Sequence, residues 1–150
     1  MDQPNSVIQS PNKIAHIGIA VNSIEATLPF YTQHLGLQLV GMEVVASEQV
    51  RVAFLAIGES RFELLEPTSE ESPIAKFIAK RGEGIHHIAL DVDDVAERLA
   101  KLKADGVALL NDQPKAGAHG AQIGFLHPKA AQGVLYELCQ YPKGNEEESH

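Results

Sequence analysis

Two histidines and two glutamates recur in this chain in matching surroundings. His16 lies in KIAHIGIAV, from Lys13 to Val21, and His87 lies in GIHHIALDV, from Gly84 to Val92. Glu63 lies in RFELLEP, from Arg61 to Pro67, and Glu137 lies in LYELCQYP, from Leu135 to Pro142. Imidazole nitrogens and carboxylate oxygens brought to one place make a site for a divalent cation. Co2+, Mn2+, Zn2+, Ni2+ and Fe2+ suit such a donor set better than Mg2+. Two carboxylates neutralise the ion, and adjacent open positions would take a chelating oxygen ligand, for which the ion acts as a Lewis acid. A single histidine in an apolar strand is more often a core residue with a backbone partner. Recurrence of both residue types at equivalent positions favours the metal site.

The elements that must position these groups come as a duplication. At an offset of 71 residues His16 falls on His87, Ile17 on Ile88, Ile19 on Leu90 and Val21 on Val92. The glutamates align at an offset of 74, so the second copy has a slightly longer loop. Each histidine strand leads into a helical stretch, 23–36 and 94–106, opened by the N-cap residues Ser23 and Asp94 and stopped by Gly36 and Gly106. Pro29 is expected to kink the first helix. LQLVGMEVVAS and QVRVAFLAIG read as strands joined by a turn near Ser47. VALLND and AQIGFLHP are their counterparts, separated by the loop QPKAGAHG. SPIAKFIAKRG, from Ser72 to Gly82, reads as a short linking helix.

The expected architecture is α+β, with a βαβββ module over 13–67, a linker over 68–83 and a second βαβββ module over 84–142. Residues 1–12 read as a disordered leader and 143–150 as a disordered acidic tail. One helix covers one face of each module, so the two sheets are expected to curve around a shared cavity. Strand alternation puts His16 on a face with Ile14, Gly18 and Ala20, and His87 on a face with Ile85, Ala89 and Asp91. His86 then belongs with Ile88, Leu90 and Val92 on the helix side. Gly18 and Ala89 leave room beside the two ligand histidines.

Composition narrows the classes. The 150 residues carry a net charge of −8, which disfavours a nucleic-acid surface. Cys139 is the only cysteine, so an intrachain disulfide and a thiolate zinc cluster are both excluded. No apolar run approaches the roughly 20 residues of a membrane span. MDQPNSVIQSPN lacks the basic residues and apolar core of a targeting peptide, so a cytoplasmic location is expected.

The segments HIGIAV, PIAKFIAKRGEGIHHIALDV, GAHG, FLHPK and GVLYEL, spread from His16 to Leu138, carry a family resemblance. The double module resembles the vicinal oxygen chelate, or glyoxalase-like, superfamily, and these segments resemble its methylmalonyl-CoA epimerases. The resemblance implies an eight-stranded cupped mixed sheet with helices on the outside, usually in a homodimer. It implies His16, Glu63, His87 and Glu137 as metal ligands, with Co2+ the foremost metal and Mn2+, Zn2+ and Ni2+ as alternatives. Some relatives carry glutamine at the position of Glu63. The implied substrate is an acyl-CoA thioester, epimerised between (2R) and (2S) forms by removal and return of its α-proton. Glu48 matches one catalytic acid/base of that family and Glu137 the other.

Lys115 and Lys129 are weaker candidates for the coenzyme A phosphates, and Gly117 and His119, in the GAHG loop, for close approach of substrate. His127 reads as a loop hydrogen-bonder and Cys139 as packing. Three alternatives remain open on sequence: a glyoxalase, an extradiol dioxygenase, or a small-molecule-binding protein on the same scaffold.

Overall fold

The computed structural model describes residues 8–143. The expected leader up to residue 7 and the tail from residue 144 lie outside the described residues. In chain order the strands are β1 (Lys13–Ala20), β2 (Gln38–Val45), β3 (Val50–Ile57), β4 (Ser60–Pro67), β5 (Gly84–Asp91), β6 (Lys115–Ala116), β7 (Gln122–Leu126) and β8 (Tyr136–Gln140). The helices are α1 (Ile24–Pro29), α2 (Pro73–Arg81) and α3 (Val95–Ala104). All strands join one mixed sheet in the order β2-β3-β4-β1-β5-β8-β7-β6. The order is the same in each half, read outward from the centre. β1 and β5 meet antiparallel there, while β1 runs parallel to β4 and β5 to β8.

The helix signals act as expected. The Ser23 hydroxyl accepts from the Ala26 N–H, the Ser72 hydroxyl from the Ile74 N–H and the Asp94 carboxylate from the Glu97 N–H. Gly36 and Gly106 take φ of 81° and 83°, which only glycine adopts without strain, and the chain turns back to the sheet. At Pro29 the α-helical pattern gives way to a π turn over Phe30–His34, because proline has no N–H to donate.

Two apolar layers sandwich each half of the sheet. On one face Ile24 of α1 packs on Val21, Leu55 and Leu64, and Val95 and Leu99 of α3 pack on Val92 and Leu138. On the other face Ala20, Val50, Val52, Phe54 and Leu65 form one cluster, and Ala15, Ala89, Ile123 and Cys139 form another. α1 and α3 lie outside as expected. α2 differs: its Ile74, Phe77 and Ile78 join the inner cluster, so the linking helix closes one end of the cavity.

The second half departs from the expected strand over VALLND. There Leu109 makes a single bridge to Leu126, and no strand forms. The Asn111 side chain substitutes for a backbone ladder, its Oδ1 accepting from the Phe125 N–H at 2.8 Å and its Nδ2 donating to the Ile123 and Gln113 carbonyls. The edge strand comes later, as the two residues of β6 paired with β7, inside what reads in the sequence as loop.

A second departure lies at the seam. The β1–β5 register shifts between Ile14 and His16, and again between Gly18 and Ile19. Ala15 on β1 and His86 on β5 are the extra residues. These positions are equivalent in the duplication, each directly preceding a ligand histidine. A bulge lets two successive side chains lean to the same side. Ala15 therefore packs into the inner cluster with Ala89 and Cys139, while Ile14 is left exposed. His86 turns to the cavity instead of the helix side predicted by simple alternation.

Candidate active site and metal centre

The concave face encloses about 630 Å³, counted out to its open mouth, with residues from both halves on its walls. At its floor His16 Nε2 lies 3.1 Å from His87 Nε2. Glu137 Oε1 lies 2.9 Å from His87 Nε2 and 3.5 Å from His16 Nε2. The three side chains are buried, and one donor atom from each falls within 4.8 Å of the others. Two imidazole nitrogens and a carboxylate oxygen turned on one point need a positive charge between them, either shared protons or a cation. The N,N,O donor set fits a divalent transition metal.

The strands make this convergence. His87 stands opposite Gly18, and His16 opposite Ala89 on the same antiparallel pair. Glu137 pairs with Ala89 on the parallel neighbour β8. A Cβ on Gly18 would lie 2.7 Å from His87 Nδ1 and 2.8 Å from Nε2. The space left by Gly18 is thus filled by the His87 ring itself.

The charges are mutually dependent. Burial pulls the His87 imidazole down, but the Glu137 carboxylate, its hydrogen bond and then Glu63 outweigh it and hold His87 above its ordinary value. Burial pushes Glu137 up, and the His87 charge with hydrogen bonds from His16 and His87 overcomes this, keeping it well below the usual carboxylate range. His86 is pushed down to about 4 by burial and then by His87, so it is neutral near pH 7. Its Nδ1 lies 2.9 Å from His87 Nδ1. With neutral His86 accepting from the His87 Nδ1–H, exchange of the Nε2 proton shared with Glu137 for a metal would leave His87 in its ligating form.

Glu63 sits apart from this trio. Its Oε2 lies 3.2 Å from His16 Nδ1, the other ring nitrogen, which is buried without a hydrogen-bond partner. Arg61 Nε donates to the same oxygen at 2.8 Å, and Arg61 Nη2 donates to the Tyr141 hydroxyl at 2.7 Å. The guanidinium lies 5.4 Å from the ring centroids of both Phe54 and Tyr141. Three of the four expected ligands converge, and Glu63 is engaged beside them by Arg61.

Glu48 ends the short 3-10 turn Ala46–Glu48 and lines the cavity wall. Lys115 Nζ lies 3.0 Å from its Oε2. Gly117 also lines the cavity, close against Ile123. The His119 ring lies 4.2 Å from the Phe54 ring, and the His119 backbone N–H donates to the Glu43 carboxylate, so the GAHG loop closes onto the first half. Lys129 lies in the turn Pro128–Ala131 away from the cavity lining, its N–H donating to His127 Nδ1. The Cys139 thiol donates to Glu137 Oε2 at 3.2 Å, so it does more than pack.

Arg61, Tyr141 and His86 escape a reading centred on the repeated residues. Arg61 is two residues from Glu63 and shares its face by strand alternation, which is a usable signal. His86 has none, because a bulge leaves no mark in the sequence pattern.

The sequence model of the glyoxalase/bleomycin resistance protein/dioxygenase superfamily matches residues 15–125. The mitochondrial methylmalonyl-CoA epimerase of Homo sapiens is 36% identical over 141 residues, covering 93% of this chain and 80% of its own. The structure of a hypothetical protein from Bacillus halodurans is 60% identical with a TM-score of 0.86, covering 87% of this chain and 95% of that one. Streptomyces coelicolor methylmalonyl-CoA epimerase, solved in complex with 2-nitronate-propionyl-CoA, is 42% identical with a TM-score of 0.86, covering 89% and 97%.

Proposed function

We propose, for a chain that belongs to the glyoxalase/bleomycin resistance protein/dioxygenase superfamily, that it epimerises methylmalonyl-CoA with a divalent ion held by His16, His87 and Glu137. The reaction is an isomerisation, inverting the carbon that lies between a carboxylate and a thioester carbonyl. Convergence of those three side chains in a cavity also walled by Glu48 carries this reading. The Streptomyces ligand supports it chemically, since a nitronate is a planar anion like a deprotonated malonyl thioester.

A divalent ion held by His16, His87 and Glu137 would supply positive charge that offsets the negative charge left on the substrate when its α-proton departs, lowering that barrier. The protein must then move that proton between faces. Glu48 removes or returns it on one side of the α-carbon. Glu137 serves the other side through Oε2, the oxygen turned away from the histidines and held by the Cys139 thiol. Neutral His86 fixes the His87 tautomer. Glu63 is the candidate fourth ligand, and joining the trio requires it to loosen its grip on Arg61. Gly117 and His119 form the lip over which the thioester arm leaves the cavity.

Co2+ is the metal assigned here, with Mn2+, Zn2+ and Ni2+ as substitutes on the same donor chemistry. A cytoplasmic homodimer is the proposed state, with modules over 13–67 and 84–142. Val40, Met42 and Val44 make an exposed apolar row on the edge strand β2 and support association there. No helix among the described residues is long and apolar enough to cross a membrane. The test is deuterium wash-in at the α-carbon of methylmalonyl-CoA in D2O, followed by NMR. Loaded protein should exchange, chelated protein should not, and Co2+ should restore the rate. Metal-loaded protein that leaves the α-proton in place contradicts the reading.

A further inference from the structure

Glu48 and Lys115 come from opposite halves of the chain, and no part of the proposed reaction yet uses the lysine. The 3-10 turn carrying Glu48 joins β2 to β3, while Lys115 opens the two-residue strand β6. Their side chains meet beside the cavity wall that Glu48 lines, Nζ to Oε2 at 3.0 Å. Two restraints fix the lysine. Its backbone is paired with Ile123 on β7, and its ammonium lies 5.6 Å from the centroid of Phe125, whose ring abuts His87. Glu48 is partly shielded, with 24% of its side chain exposed, whereas Lys115 is 45% exposed. The following loop is clamped to the first half by His119 against Phe54 and Glu43.

A glutamate on a short turn has several rotamers, and most would carry its carboxylate away from a bound substrate. An ammonium holding Oε2 selects one and leaves Oε1 free to take a proton. We propose that Lys115 is a positioning residue that holds Glu48 over the cavity for proton transfer, instead of a contact for the coenzyme A phosphates. The proposal rests on the reading of Glu48 as a proton carrier. A mispositioned carboxylate about an ångström from its productive place loses on the order of a hundredfold, so a partial loss of order costs roughly tenfold.

The test measures wash-in starting from the (2R) and (2S) thioesters separately, with K115M, K115R, E48Q and E48Q/K115M. Glu48 serves one face, so K115M should slow one epimer roughly tenfold more than the other. K115R should recover most of the rate. On the E48Q background K115M should add nothing, because two residues acting through one group are not additive. The KM for the coenzyme A thioester should be unchanged by K115M. Equal slowing of both epimers, or losses that multiply in the double variant, would overturn the proposal. So would a raised KM that disappears with the pantetheine thioester, which lacks the nucleotide phosphates. Full wash-in by E48Q from both epimers would remove the underlying reading of Glu48, an outcome distinct from a silent K115M beside a crippled E48Q.

Discussion

Replacing Gly18 by alanine probes the seam directly. The new Cβ would lie 2.7 Å from His87 Nδ1 and 2.8 Å from Nε2. Non-bonded heavy atoms settle at about 3.5 Å and His87 Cε1 would lie nearer than either nitrogen, so the ring must retreat by about an ångström or more. The ring has little freedom, with Nδ1 held by His86 and the Phe125 ring set perpendicular to it at 5.9 Å between centroids. Overpacking typically costs about 1–3 kcal/mol. The smaller unfolded-state entropy of alanine offsets about 0.4–1 kcal/mol of that. The fold should therefore survive with Tm lowered by a few degrees, about 2–4 °C per kcal/mol at this size. Metal ligation is less tolerant, because donor distances hold within about 0.2 Å. Co2+ affinity should fall at least about tenfold, as for losses of ligand orientation elsewhere. Chelator-competition titration with a thermal melt on the same sample separates the two effects. A folded Gly18→Ala protein with wild-type affinity and wash-in would refute the claim that Gly18 exists to seat His87.

Arg61→Met leaves the Glu63 carboxylate, 4% exposed, without its cation. Breaking a buried pair from one side costs about 3–5 kcal/mol, and adding Glu63→Gln should return much of it, as read by urea unfolding. No recovery in the double variant would mean Arg61 acts through Tyr141 and Phe54 alone. For Cys139, burial and then the charge and hydrogen bond of Glu137 hold the thiol well above its ordinary value. A raised thiol pKa leaves little thiolate at pH 8, so iodoacetamide should label unfolded protein quickly and native protein very slowly. Equal labelling rates would contradict the burial and the hydrogen bond to Glu137.

The duplication made most of the fold legible. Ser23, Ser72 and Asp94 cap helices where their chemistry places them, and the alternation of β4 and β8 turns Glu63 and Glu137 inward. What stayed hidden depended on backbone register or on side chains replacing backbone. The bulges at Ala15 and His86 shift a face without altering composition, so His86 was placed on the wrong side by alternation alone. VALLND has strand-forming residues, yet Asn111 satisfies the β7 groups with its own amide. Glu63 was visible as an inward carboxylate. Its partner was not, because a sequence shows that Arg61 shares the face but not that its guanidinium reaches Glu63 before a metal does.

The central claim is that one cation belongs between His16, His87 and Glu137. Equilibrium dialysis of chelator-stripped protein against Co2+ tests it most directly, with His87→Ala and Glu137→Ala alongside. The wild-type chain should bind a single tight ion, lost in both variants while their far-ultraviolet circular dichroism is retained. Tight stoichiometric binding that survives in both, or no binding by the wild-type chain, would contradict it.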